Sequence, residues 1–202
     1  MASPQMEPYP TPMGFFPQFM ARQTETLVLK ERILSLSGDS FDIKLVSGQP
    51  IFQVQGEAFS LSGRKHLSDM YGNHLFTIRR KLAAFFATYY AEDAQGNVIL
   101  EVKGKKFSWG KSKSVATFTS QTGKEESLVM EGNFWGPGFD TKAEIHDEET
   151  QQPVARIDRE LWNTRQIFFQ DQTYSVTVAP DVDMAIVAAM CICLDEREND
   201  AR

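Results

Sequence analysis

From Glu25 to Pro180 the apolar residues fall in short runs with a period of two. Phe41, Ile43 and Leu45 alternate with Asp42, Lys44 and Val46. In the run opened by Ile51 and Phe52, Val54 alternates with Gln53 and Gln55. Val98, Leu100 and Val102 alternate with Ile99, Glu101 and Lys103, and Tyr174, Val176 and Val178 with Ser175, Thr177 and Ala179. That period puts one side of a strand in a core and the other in water. Turn signals separate the runs: Ser37-Gly38-Asp39, Ser47-Gly48-Gln49-Pro50, Ser62-Gly63, Tyr71-Gly72-Asn73, Gln95-Gly96-Asn97, Thr122-Gly123 and Gly136-Pro137-Gly138. The pattern predicts roughly twelve strands.

The end of the chain breaks the pattern. After Pro180-Asp181 no turn residue occurs until Leu194, and the eleven residues from Met184 to Leu194 are all apolar. Ala and Met favour helix, and Ile and Val weaken it. Asp181 is placed to be the N-cap, with Asp183 adding negative charge to the first turn. The predicted helix, about residues 181–195, is short of the roughly 20 apolar residues of a membrane span. Being apolar on every side, it must be surrounded by protein. A β-sandwich with a helix on one side needs a polar stripe that this run lacks.

Length then selects the architecture. About fourteen helical residues span roughly 21 Å, and six strand residues about 20 Å. An eight-stranded barrel is filled by its own side chains, so a helix about 10–12 Å across needs a wider one. Eleven or so strands around a central helix is a known closed solution. The expected fold is mainly β: a closed antiparallel barrel of about twelve strands around a central hydrophobic C-terminal α-helix.

Composition adds boundaries. The chain has 202 residues, 42% apolar and 24% charged, which suits one globular domain. Residues 1–24 carry Pro4, Pro8, Pro10, Pro12 and Pro17. Those prolines forbid helix and central strand, so this Pro/Met-rich lead is expected to be extended or disordered. Phe15, Phe16 and Phe19 are placed to dock on the domain surface. The barrel domain covers 25–197, and 198–202 form a polar tail. No Lys or Arg precedes Arg22, which fits neither a secretory signal nor a transit peptide. The formal charge of −6 speaks against general attraction to nucleic acid. Cys191 and Cys193 are the only cysteines and lie in the apolar run. They make no disulfide framework and point to a reducing, intracellular setting: cytoplasm, membrane periphery or nucleus.

Two segments carry a resemblance. Gln172-Thr173-Tyr174-Ser175-Val176-Thr177-Val178-Ala179-Pro180-Asp181-Val182-Asp183, with the apolar run ending Cys191-Ile192-Cys193-Leu194-Asp195, resembles the C-terminus of LURP-one-related proteins. So does Leu67-Ser68-Asp69-Met70-Tyr71-Gly72-Asn73-His74-Leu75-Phe76-Thr77-Ile78-Arg79-Arg80-Lys81, where an Asp-x-x-Gly turn enters an Ile-Arg-x-Lys strand. The resemblance covers about residues 25–195. It implies the Tubby C-terminal-like fold shared with the phospholipid scramblases, in a superfamily known for phosphoinositide binding, membrane tethering and gene regulation. The calcium-loop pattern that some scramblases carry after the barrel is absent.

Motifs for catalysis are not found. No Gly-x-Ser-x-Gly elbow, P-loop or dinucleotide fingerprint occurs. His66, His74 and His146 lie in separate segments and read as structural or surface residues. Cys191 and Cys193 stand about 200° apart on a helix, which suits inert buried thiols and not a shared metal. Asp147-Glu148-Glu149 reads as a solvated turn. No catalytic residue, metal or cofactor is expected.

The charge distribution is more informative. Arg79, Arg80, Lys81, Lys103, Lys105, Lys106, Lys111 and Lys113 face only Glu92, Asp93 and Glu101 in their interval, a local balance of +5. If Phe76 and Ile78 point inward, Thr77, Arg79 and Lys81 point outward. The lysines of 105–113 flank Phe107 and Trp109. Basic side chains beside an exposed aromatic suit an anionic lipid headgroup at a membrane interface. The plainer reading is that they guard exposed strands against edge pairing or aggregation. The expectation is a non-enzymatic module binding phosphoinositide or other anionic lipid through these eight residues. The alternative is a protein-interaction or regulatory scaffold without lipid binding, using the outer face and the N-terminal lead.

Overall fold

The alternating runs become the wall of a barrel. The computed structural model describes residues 5–30, 40–57, 63–82, 87–106, 112–131, 142–158 and 173–200. The strands are β1 (Glu25–Lys30), β2 (Ser40–Leu45), β3 (Pro50–Gly56), β4 (Lys65–Asp69), β5 (His74–Arg80), β6 (Thr88–Glu92), β7 (Val98–Lys106), β8 (Ser112–Thr119), β9 (Glu125–Glu131), β10 (Lys142–Asp147), β11 (Pro153–Asp158) and β12 (Thr173–Val178). Each pairs antiparallel with the next, and β12 returns to β1, so the twelve-stranded barrel closes. Closure leaves no edge to be guarded against pairing with another chain.

Helix α1 (Met184–Asp200) runs inside this wall. Its side chains from Met184 to Glu196 are all buried, against inward residues such as Phe52, Phe76, Leu100, Phe118 and Tyr174. The helix begins three residues later than the sequence suggests, and its N-cap is Asp183, not Asp181. Asp181 has a positive φ of 65°. The next two residues are extended and bridge to the lead, Met13 with Val182 and Met20 with Asp183. Only then is the chain free to coil, and Asp183 Oδ1 accepts from Ala185 N at 2.9 Å. At the far end of the helix Tyr174 Oη donates to Asp195 Oδ2 at 3.0 Å. There, too, Glu196 forms an ion pair with Lys65, which is fully buried at the start of β4.

Short hairpin turns rim one end of the barrel. The β4–β5 and β6–β7 turns share the sequence Asp-x-x-Gly-Asn. In the first, Asp69 Oδ1 accepts from Tyr71 N (2.9 Å) and Asn73 N (2.8 Å), and Oδ2 accepts from Asn73 Nδ2 (2.7 Å). Asp93 repeats the arrangement with Gln95 and Asn97. The Asn73 and Asn97 bonds hold both carboxyls below their usual range. One inward expectation fails at such a turn: Val98 is 58% exposed. The register shifts between Ala91 and Glu92, so Val98 stands opposite Glu92 and loses its place in the alternation.

The lead closes the same end. Residues 5–24 contain no strand and only a 3-10 turn at Pro17–Phe19, as the prolines require. Yet they are built into the core, with Met6, Tyr9, Met13 and Ala21 buried. Phe15, Phe16 and Phe19 dock half-buried at the barrel mouth. They pack against the inward rings of Phe118, Phe76 and Phe52 at 5.3, 6.1 and 4.8 Å between centroids. Residues 180–183 run between two stretches of the lead. Tyr9 N, Met13 N and Ala21 N donate to the carbonyls of Pro180, Asp181 and Val182. Asp183 Oδ2 accepts from Phe15 N (3.0 Å) and Phe16 N (2.9 Å). One carboxylate thus caps the helix and ties down the lead. Tyr9 Oη donates to Asp147 Oδ2 at 2.6 Å, so Asp147 is a buried anchor while Glu148 and Glu149 are exposed as expected of the turn.

Candidate anion-binding face

Of the eight basic residues, Arg79 and Arg80 lie on β5 with Lys81 just after it, Lys103, Lys105 and Lys106 lie on β7 and Lys113 on β8, toward the barrel end opposite the lead. Phe76 and Ile78 are buried and Arg79 points outward, as parity requires. Register then aligns the wall. Arg79 stands opposite Tyr90 of β6, and Tyr90 opposite Glu101 of β7. One row nearer the basic end, Lys81 N donates to Thr88 O, and Thr88 stands opposite Lys103. Beyond it Lys105 stands opposite Lys113 of β8. The side chains of Lys105 and Lys106, and all of Lys111, Phe107 and Trp109, lie outside the described residues.

Among the described residues of this cluster, Arg79, Lys81, Lys103 and Lys113 are each held by a carboxylate. Arg79 Nη1 lies 2.8 Å from Glu92 Oε2, with its guanidinium 5.9 Å from the centre of the Tyr90 ring. Lys81 and Lys103 share Glu101: Lys81 Nζ is 3.6 Å from Oε1 and Lys103 Nζ 2.6 Å from Oε2. Lys113 Nζ reaches Glu148 Oε1, 3.4 Å away in the β10–β11 turn. No count over the interval 79–113 includes Glu148, which the closed wall alone brings near. The lysines over Glu101 remain 57% and 52% exposed, while Glu101 itself is 23% exposed. Beside Glu101 opens a cleft of about 760 Å³ along β7–β9, reaching Phe15 of the lead.

Other groups singled out in the sequence fall elsewhere. Cys191 and Cys193 are free and buried in the helix, where burial pushes both thiols up and out of reach of ionisation. Two of the three histidines, separate in sequence, meet on the outer wall. His66 Nδ1 and His74 Nε2 each lie 2.9 Å from Thr77 Oγ1. Burial and the neighbouring His66 hold His74 below its usual value. Among the described residues no group of three or more His, Cys, Asp or Glu is placed to hold a metal ion. Nor, among them, is any helix long and apolar enough to cross a membrane.

Comparison with known proteins agrees with this architecture. Protein LURP-one-related 15 of Arabidopsis thaliana is 23% identical over 190 residues, covering 92% of this chain and 86% of its own. Protein LURP-one-related 10 of the same plant is 21% identical over 184 residues, covering 89% and 93%. A crystal structure of an Arabidopsis thaliana protein superposes with a TM-score of 0.62 at 19% identity, over 92% of this chain and 98% of that one. The sequence model of one family, described as LURP-one-related, matches residues 25–195, from the first strand of the barrel into its central helix, and the chain belongs to that family.

Proposed function

We propose that this barrel is a non-enzymatic binding module that docks its basic face on anionic lipid headgroups, phosphoinositides among them. The observation that carries the reading is the placement of like charges together: Lys81 and Lys103 over one carboxylate, and Lys105 directly opposite Lys113. Opposed cationic positions on a ladder cost stability, and Glu101 and Glu148 answer that cost only in part. A closed barrel has no edge for the lysines to guard, so the edge-pairing half of the plainer reading loses its ground. The Tubby-like resemblance adds a superfamily in which phosphoinositide binding is known. The helix fills the barrel axis, so a ligand meets the outer wall. The setting this implies is the cytoplasmic leaflet, where each Lys or Arg near the surface contributes about 1 kcal/mol. The scaffold alternative keeps only the outer wall, because the aromatic residues of the lead are engaged in the barrel mouth.

The test is co-sedimentation with phosphatidylcholine vesicles, with and without phosphatidylinositol phosphate. Binding is expected only with the phosphoinositide, and is expected to be lost on changing Lys103, Lys105 and Lys106 to Glu without loss of the cooperative thermal transition. Equal, negligible sedimentation with both vesicles overturns the reading.

A further inference from the structure

Glu101 stands where an incoming phosphate needs to be. Its two oxygens are divided between Lys81 and Lys103, the outward lysines of the row next to its own. The Glu101 side chain is the more covered partner and the two lysine side chains the more exposed ones. Each ammonium has three donors, so donors remain on the solvent side while the negative charge lies beneath them. Resting on the headgroup reading above, we propose that Glu101 is a built-in competitor that selects among anionic lipids. Its charge repels any anion approaching the two lysines. A phosphomonoester, with a charge of about −1.5 to −2 and three acceptor oxygens, outbids it. A singly charged phosphodiester headgroup such as phosphatidylserine does not. Specificity here comes from a repulsive element and not from an added contact.

The experiment compares the full-length wild type, Glu101→Gln and Asp42→Asn, each first shown to unfold cooperatively. Asp42→Asn removes an equal charge from β2, far round the wall from β7. Binding is measured to phosphatidylcholine vesicles carrying either phosphatidylinositol phosphate or phosphatidylserine at matched surface charge. A soluble inositol phosphate serves as competitor, to separate headgroup recognition from attraction to the bilayer. Wild type is expected to prefer the phosphomonoester vesicles, and the soluble competitor to release it. Glu101→Gln is expected to bind both kinds about fivefold tighter or more, the value of one charge at such a surface. Its larger gain falls on phosphatidylserine, so the preference narrows. Asp42→Asn is expected to leave the preference unchanged. Wild type that binds while Glu101→Gln binds no tighter, or gains no more than Asp42→Asn, overturns the role of Glu101 and leaves the headgroup reading standing. Failure of all three proteins to bind either anionic vesicle overturns the headgroup reading, and Glu101 as competitor falls with it. Wild type that stays free of both vesicles while Glu101→Gln binds overturns the selection, because the phosphomonoester then fails to displace Glu101, and the headgroup reading of the wild type falls with it.

Discussion

Gly14 sits at the junction of lead, barrel mouth and helix, and replacing it with alanine is the sharpest test of that junction. Its φ of 147° is one that L side chains rarely adopt, and an added Cβ stands 2.1 Å from Asp183 Cβ and 2.8 Å from Asp183 Oδ2. Backbone strain of this kind costs about 1–3 kcal/mol, and forcing an atom into a packed site about 1–3 kcal/mol more. If Asp183 yields, the amides of Phe15, Phe16 and Ala185 lose their acceptor. Each buried amide left unpaired adds about 1–3 kcal/mol. A loss of about 4 kcal/mol is the central expectation, a large share of the 5–15 kcal/mol that holds a domain together. At roughly 2–4 °C per kcal/mol for a chain of this size, Tm falls by about 8–16 °C. Gly48→Ala is the control. It also has a positive φ, 91°, but a Cβ there meets nothing within 4 Å. Thermal unfolding of both variants separates strain from collision. If Gly14→Ala melts within about 3 °C of Gly48→Ala, less than 1 kcal/mol of collision, then Gly14 is not wedged against Asp183 and the account of the junction is wrong.

Removing residues 1–22 exposes the barrel mouth and loses the burial of Met6, Tyr9 and Met13. At about 1.5–3 kcal/mol per large side chain, the shortened chain is expected to lose its cooperative urea transition, and a transition at the wild-type midpoint refutes this. Burial pushes the Asp183 carboxyl from 3.8 up to about 6, against the opposing pull of the Phe16, Ala185 and Phe15 amides. Over that window the folded chain keeps a proton the unfolded chain has released, so stability is highest below the unfolded value and falls as pH rises toward 6. The loss is on the order of 3 kcal/mol. Urea unfolding at several pH values is expected to show this slope shrinking in Asp183→Asn, and equal slopes in the two proteins would falsify it. Lys65→Met leaves Glu196 as a charge without its buried partner and is expected to cost about 3–5 kcal/mol. Lys65→Met with Glu196→Leu is expected to recover most of that in a double-mutant cycle, and a doubly changed protein less stable than Lys65→Met contradicts it.

Much of the fold is legible along the chain because its two periods are local properties. The alternation through Phe41 to Leu45 and Tyr174 to Val178 needs no distant residue to be read, and neither does the all-round apolar run from Met184. Together they determine the closed barrel with its helix inside, because a helix without a polar stripe has no other place to go. The outward parity of Arg79 followed for the same reason. What escaped the sequence depends on pairs far apart. Tyr9 meets Asp147 across 138 positions. The lead is core and not surface because Phe52, Phe76 and Phe118 leave their inward rings at an open mouth. The N-cap moved from Asp181 to Asp183 because the lead held residues 182 and 183 extended. Charge was misjudged likewise: the run of cations is written in the sequence, but Glu148 reaches Lys113 from another hairpin. The sequence by itself determined which residues are apolar or charged and with what period, hence wall and helix. The tertiary structure alone decided who neutralises whom and what closes the mouth, because Coulomb interactions and close packing act through space and closure of the wall sets those distances.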